Sequence, residues 1–220
     1  MFIIFHIYTM ALNPTYTIHI IPKSCSDPSS WATLVAKQKA LRLLSLLTAP
    51  ESFSSTYERE IVFTWAEWEA RLQHPFVYTL VAVKTPSASN DSALQDLIDG
   101  EWVGCSVLLD ISRLSNPSSS KTEIAEKSNL AGTFEINGLF VSPEARGHGL
   151  GGALIEASIS HAQGVVAQEG DEKVLVRALV RRGNEQALKL YGKMKFAARH
   201  DPTMANSMTN EDSIILYMDR

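Results

Sequence analysis

The stretch "RGHGLGG", residues 146–152, packs four glycines into six positions and leads straight into an apolar, helix-forming run. Glycines at that density let a backbone turn tightly and bring its N–H groups close to another molecule, and the first turn of the following helix adds unpaired donors and the positive end of a dipole. The natural guest of such a loop is a phosphate. A Walker A loop needs Lys and then Ser or Thr to close it, whereas Gly151 and Gly152 run into Ala153 and Leu154. A dinucleotide fingerprint G-x-G-x-x-G is met by Gly147, Gly149 and Gly152. Against it, Pro143 and a polar stretch separate the preceding strand from the first glycine, and only about seventy residues follow, too few for a doubly wound sheet. Arg181 and Arg182 stand where a ribose-binding acid is expected and would suit a 2′-phosphate, so an NADP reductase stays open as an alternative.

More residues fit a third reading. "RGHGLG" resembles the R/Q-x-x-G-x-G/A pyrophosphate loop of the GCN5-related N-acetyltransferases, the GNAT superfamily, which bind acetyl-CoA. Upstream, "EINGLFVSPEARGHGLG" is similar to that family's fourth strand running into the loop. Downstream, "NEQALKLYGKMKF", Asn184 to Phe196, resembles the helix that family members place beside the thioester. The segment "LLTAPESFSSTYEREIVFTWAEWEARL" is similar to acceptor-side segments, so the resemblance covers most of the chain from Tyr16 onward.

The resemblance implies direct attack of an amine on the thioester. An alkyl ammonium is only about one part in a few thousand free amine at pH 7, so a proton acceptor helps. Glu135 is the candidate base, working through an ordered water, and the two-residue strand period puts Asn137 on the same face, toward the acceptor. A Glu paired with a surface Lys across the sheet is the plainer reading. Tyr191 belongs to the stripe Ala187, Leu190, Tyr191 and Met194, whose spacing by itself indicates a half-buried core tyrosine. The resemblance makes it the general acid that protonates the departing sulfur, and a cofactor contact as well. Asn184 is a good N-cap whose family counterpart also touches the pantetheine arm. Leu139, Phe140 and Val141 are core side chains whose backbone groups, at a bulge in the fourth strand, would pair with the cofactor's amide arm. Arg146, Gly147, His148, Gly149, Leu150, Gly151 and Gly152 would cradle the pyrophosphate, mostly through N–H groups. Phe53 and Tyr57, with Ser54 and Trp65, are expected along the acceptor pocket. The implied reaction is transfer of an acetyl group to a primary amine, of a small molecule in the first place, and of a protein or peptide as the alternative. A non-catalytic acyl-CoA-binding protein would have no physical reason to keep both Glu135 and Tyr191.

The whole chain is consistent with this. Its 220 residues are 45% hydrophobic and 20% charged, enough for a substantial core. Net charge is −4 with scattered Lys and Arg, which speaks against a nucleic-acid partner. Two cysteines, Cys25 and Cys105, give neither a disulfide framework nor zinc spacing, and the six histidines form no ligand cluster, so no metal is expected and a cytoplasmic location is. "MFIIFHIYTMAL" is too short for a membrane span and lacks a basic n-region, so no membrane association is expected; Met10 is an alternative start. Monomer and homodimer read alike.

The elements that must position these residues follow from periodicity. Residues 1–15 are expected to be an appendage or extra edge strand, and 16–220 one GNAT-like domain. Strands are predicted at Tyr16–Pro22, "VYTLVAV", "EWVGCSVLL", the glycine-loop strand, "KVLVRALV" and "DSIILYMD". Helices are predicted at Trp31–Leu47, from a Thr64/Glu67 capping box to Leu72, at Leu150–Ala162 and from Asn184. The polar stretches "TPSASNDSALQDLIDG" and "SRLSNPSSSKTEIAEKSNLAG" are expected to be long mobile loops. The fold class is α/β, a mixed and mostly antiparallel sheet with splayed central strands, flanked by helices.

Overall fold

Alternating and β-branched runs become strands, and runs with helical spacing cover them. A computed structural model describes residues 16–85, 92–114, 132–168, 170, 173–198 and 213–219. In chain order the elements are β1 (Tyr16–Ile20), α1 (Pro28–Thr48), α2 (Tyr57–Ile61), α3 (Trp65–Gln73), β2 (Val77–Lys84), α4 (Ala93–Asp99), β3 (Glu101–Asp110), α5 (Ile111–Leu114), β4 (Gly132–Val141), α6 (Leu150–Ala167), β5 (Val174–Arg181), α7 (Glu185–Lys193), β6 (Ala197–Ala198) and β7 (Ser213–Asp219). The strands form one seven-stranded sheet in the order β1-β2-β3-β4-β5-β7-β6. Pairing is antiparallel between β1 and β2, β5 and β7, and β6 and β7, and parallel between β4 and β5. The expectations for residues 1–15 lie outside the described residues.

The described residues fall into two compact units, one within Met1–Val107 and Gly138–Ala157, the other within Leu108–Asn137 and Ser158–Arg220. In the first, Leu34, Val35, Leu41 and Leu43 of α1 pack with Trp68 and Leu72 of α3, Val81 and Val83 of β2, and Phe140 of β4. Helix α1 starts three residues earlier than predicted: Asp27 accepts from Ser30 N at 2.8 Å and Pro28 takes the first helical position, where its missing N–H costs nothing. The capping box of α3 is present, with Thr64 and Glu67 bonded reciprocally. The stretch expected to be the first mobile loop instead holds α4. Ser92 caps it, Leu97 is fully buried, and Lys37 Nζ donates to the carbonyls of Leu97, Ile98 and Gly100, serving the acceptors that every helix C-terminus leaves over. Of the second expected loop, residues 115–131 lie outside the described residues. Cys105 is buried, and burial pushes its thiol up to about 12.

One buried carboxylate ties three helices together. Glu60 of α2, 1% exposed, receives Arg42 of α1 through Nη2 at 2.7 Å and Nε at 3.0 Å, and Arg71 of α3 through Nη1 at 2.9 Å. Arg42 lies over the Phe53 ring at 4.8 Å, and Arg71 over Phe63 at 4.9 Å and Trp68 at 5.0 Å.

In the second unit, β5 is the centre: Leu175 to Arg181 pair with β7 on one side, and Val174 to Ala178 with Gly132 to Ile136 of β4 on the other. Val174, Val176, Ala178 and Val180 are buried, with Ile159, Ala162 and Val166 of α6 also in this unit's core. Gly132 stands in a close-packed place, since a Cβ there would lie 2.8 Å from Val166 Cγ2 and 2.9 Å from Phe134 Cε2.

Burial alone raises the Glu60 pKa, but hydrogen bonds from Arg42 and Ser55 and the charges of Arg42 and Arg71 outweigh it and hold the carboxyl at about 2. A depressed carboxyl contributes stability above its unfolded value, lost as pH falls from about 4.5 to about 2. Glu60→Ala should lower unfolding free energy by about 3 kcal/mol at pH 7, measured by urea denaturation, and the deficit should shrink toward pH 2.

Candidate active site

The glycine loop begins where β4 ends. Ser142 N donates to Val103 O at 2.8 Å, Pro143–Ala145 make one 3-10 turn, and Arg146 follows in extended conformation. Gly147 and Gly149 have φ of 84° and 76°, values that side chains disfavour, and a Cβ on Gly147 would meet nothing within 4 Å. The glycines are therefore needed for backbone direction, and the space in front of Gly147 is open. The first bond of α6 is Ala153 N to Gly149 O at 3.1 Å, so the N–H groups of Leu150, Gly151 and Gly152 belong to the helix's donor end. Leu150, 2% exposed, anchors that end. Arg146 Nε donates to Val141 O at 3.2 Å, leaving the guanidinium further donors at the loop's entrance. The His148 ring packs on Tyr16 at 5.2 Å, with Nδ1 3.3 Å from Ala145 O, and buttresses the turn. Left-handed glycines, open space and a helix donor end suit a pyrophosphate.

In mid-β4, Gly138 has φ 60°, a left-handed conformation that side chains disfavour. Phe140 is buried, and a Cβ on Gly104 of β3 would come within 2.9 Å of Phe140 O. Leu139 and Val141 are half-buried.

In the other unit, the parallel register sets Glu135 beside Arg177. Arg177 Nε donates to Glu135 Oε2 at 2.7 Å, and Asn137 Nδ2 donates to Oε1 at 2.8 Å. Sequence reasoning missed Arg177; the basic residue in "LVRALVR" at the matching rung was the signal. Tyr191 on α7 is 3% exposed, and burial first, then the negative charge of Glu135, push its phenol upward, so it stays protonated throughout the neutral range. Phe196 meets the Tyr191 ring edge-on at 5.1 Å. Asn184 caps α7 by accepting from Ala187 N at 3.0 Å, after Gly183 with φ 87°.

Phe53 and Tyr57 are half-buried against the first unit's core. The open cavity of that unit, about 520 Å³, lies elsewhere, along the α3 stripe Glu67, Ala70, Arg71 and His74 with Phe63, Val77 and Val107. Val107 in turn neighbours Gly138. Trp65 is half exposed and does not line it. Among the described residues, no cluster of His, Cys, Asp and Glu is placed to hold a metal ion, and no helix is long and apolar enough to cross a membrane.

No curated protein matches the chain. Solved structures share its fold: the Arabidopsis thaliana NAA60 complex with acetyl-CoA is 17% identical, with 93% of this chain and 98% of that chain covered at a TM-score of 0.52. The Streptococcus pneumoniae GNAT-family acetyltransferase is 18% identical, covering 92% and 98% at 0.54. The acetyltransferase (GNAT) family model matches residues 43–196, which run through both units and take in the glycine loop, Glu135 and Tyr191. The chain belongs to the GNAT acetyltransferase family, with acetyl-CoA as the acetyl donor.

Proposed function

We propose that the protein acetylates the primary amine of a small molecule, with Glu135 receiving the amine's proton and Tyr191 supplying one to the leaving sulfur. The observation that carries this reading is the cluster in which Asn137 and Arg177 occupy the two oxygens of Glu135 while the same carboxylate's charge acts on Tyr191. Acetyl-CoA, when bound, supplies an acyl carbon activated as a thioester.

The chain's own groups divide the remaining work. Backbone N–H groups from Gly147 to Gly152, with Arg146, bind the pyrophosphate. Leu139, Phe140 and Val141 offer backbone groups to the amide arm, and Asn184 fixes the start of α7 so that Tyr191 is held in place. Arg177 and Asn137 aim Glu135 by holding one oxygen each. An amine proton then reaches the carboxylate directly or through one water. The Tyr191 phenol holds its proton until a strongly basic sulfur is present to take it, as burial requires.

A small acceptor is favoured because the first unit's cavity, about 520 Å³, has the size and partly apolar lining of small-molecule pockets, with Phe63, Val77 and Val107 suited to an aryl or branched alkyl group.

The reading is tested first by thermal unfolding with acetyl-CoA, CoA and NADPH. A ligand at a hundred times its Kd stabilises by about 2.7 kcal/mol; acetyl-CoA and CoA should do so, and a shift with NADPH alone would overturn the assignment of the loop. A panel of aryl- and alkylamines and of short peptides, followed by thiol release, then separates the acceptor classes. Tyr191→Phe should lower kcat about a hundredfold with little change in KM for acetyl-CoA; unchanged turnover would remove it as the acid. Glu135→Gln should lose most activity at low pH, where free amine is scarcest, and a pH profile overlaying the parent's would place the proton acceptor elsewhere.

A further inference from the structure

Gln38 is a polar residue on the packed side of a helix. It lies on α1 three residues after Val35 and three before Leu41, both of them core residues, and it lines the first unit's cavity. Among the described residues, it is the cavity-wall residue with a buried side-chain polar atom, Oε1, that has no hydrogen-bond partner. The charged and titratable groups of the same wall are engaged. Glu67 accepts from Thr64 N and from Thr64 Oγ1 at 2.7 Å each, Arg71 donates to Glu60 at 2.9 Å, and His74 Nδ1 accepts from Phe76 N at 3.3 Å. An unpaired buried amide oxygen is destabilising, and Leu or Met would fill the same place on α1 without that penalty. A ligand in the cavity that pairs with the amide accounts for its presence.

We propose that Gln38 is a specificity-determining residue of this cavity, its carboxamide pairing with a hydroxyl on an otherwise apolar acceptor amine. The inference rests on the small-amine acceptor assigned above and narrows it to amines whose aryl or alkyl body carries a hydroxyl. The terminal torsion of a Gln side chain is broad and twofold, and an oxygen that makes no hydrogen bond loses none by turning toward a molecule lying against the wall. A hydroxyl both donates and accepts, so it satisfies whichever end of the amide turns to it. Phe63 and Val77 of the same wall suit the apolar part. Selection follows from the mismatch: an amine of the same shape without the hydroxyl leaves the amide unpaired in a filled cavity, and the hydroxylated amine does not.

The full-length chain, saturated with CoA so that no turnover occurs, is titrated calorimetrically with phenethylamine and with its ortho-, meta- and para-hydroxy forms. At least one hydroxylated amine should bind about tenfold tighter than phenethylamine. Gln38→Met, which keeps the length of the side chain and removes the amide, should erase that preference while holding phenethylamine as tightly as the parent protein does. One Kd for all four amines in the parent protein, binding of none of them, or a preference that survives in Gln38→Met would each overturn the proposal. Thiol release from acetyl-CoA with the same amines tells its failure from that of the acceptor reading. Turnover of all four at one kcat/KM and one Kd keeps small amines as acceptors and removes Gln38 as the selector. Gln38-dependent binding without thiol release keeps Gln38 as the hydroxyl-reading group of the cavity and removes small amines as acceptors.

Discussion

The parallel ladder between β4 and β5 ends at Ile136↔Ala178, and the placement of Glu135 depends on its register. One rung earlier, the register fixes Glu135 opposite Arg177, so a carboxylate and a guanidinium are brought together by backbone hydrogen bonds that neither side chain has to supply. Beyond the last rung, Leu179 to Arg181 keep β7 on one side of β5, and backbone groups on its other side need partners of another kind. Independently, β4 changes direction at Gly138 with a φ of 60°. A one-residue slip of this register would turn Glu135 to the opposite face and leave Arg177 uncompensated.

Arg177 also decides what sort of group Glu135 is. Both its oxygens are engaged, one by guanidinium and one by the Asn137 amide, so the carboxylate is oriented before any amine arrives. Preorganised charge of this kind works by being already in place when charge shifts during reaction. Tyr191 is the complement, a buried phenol whose proton is retained because burial and a nearby negative charge both oppose its loss.

Much of this was legible in the sequence wherever local chemistry decides structure. The glycine loop, the Thr64/Glu67 capping box, the Glu135/Asn137 face and the Asn184 cap are set by residues within a few positions of one another. The partner of Glu135 was not, because Arg177 lies forty-two residues away and only the strand register brings it there. Helix α4 was hidden in a serine-rich stretch although Leu94, Leu97 and Ile98 have helical spacing; seven residues are too few for periodicity to stand out, and the Lys37 side chain that closes the helix comes from α1. Phe53 and Tyr57 are placed by a tertiary fact, the burial of Glu60 between two arginines, that draws their surroundings into the core.

The two cysteines bear on how the protein's chemistry can be watched. Cys105 is sealed in the first unit's core with a thiol that does not ionise at neutral pH, while Cys25 is half exposed. A disulfide reagent added to the native protein therefore meets one accessible sulfur per chain at most, a fixed background against which each CoA released is counted. Unfolding exposes the second, so the same reagent doubles as a gauge of whether a catalytically silent variant is still folded.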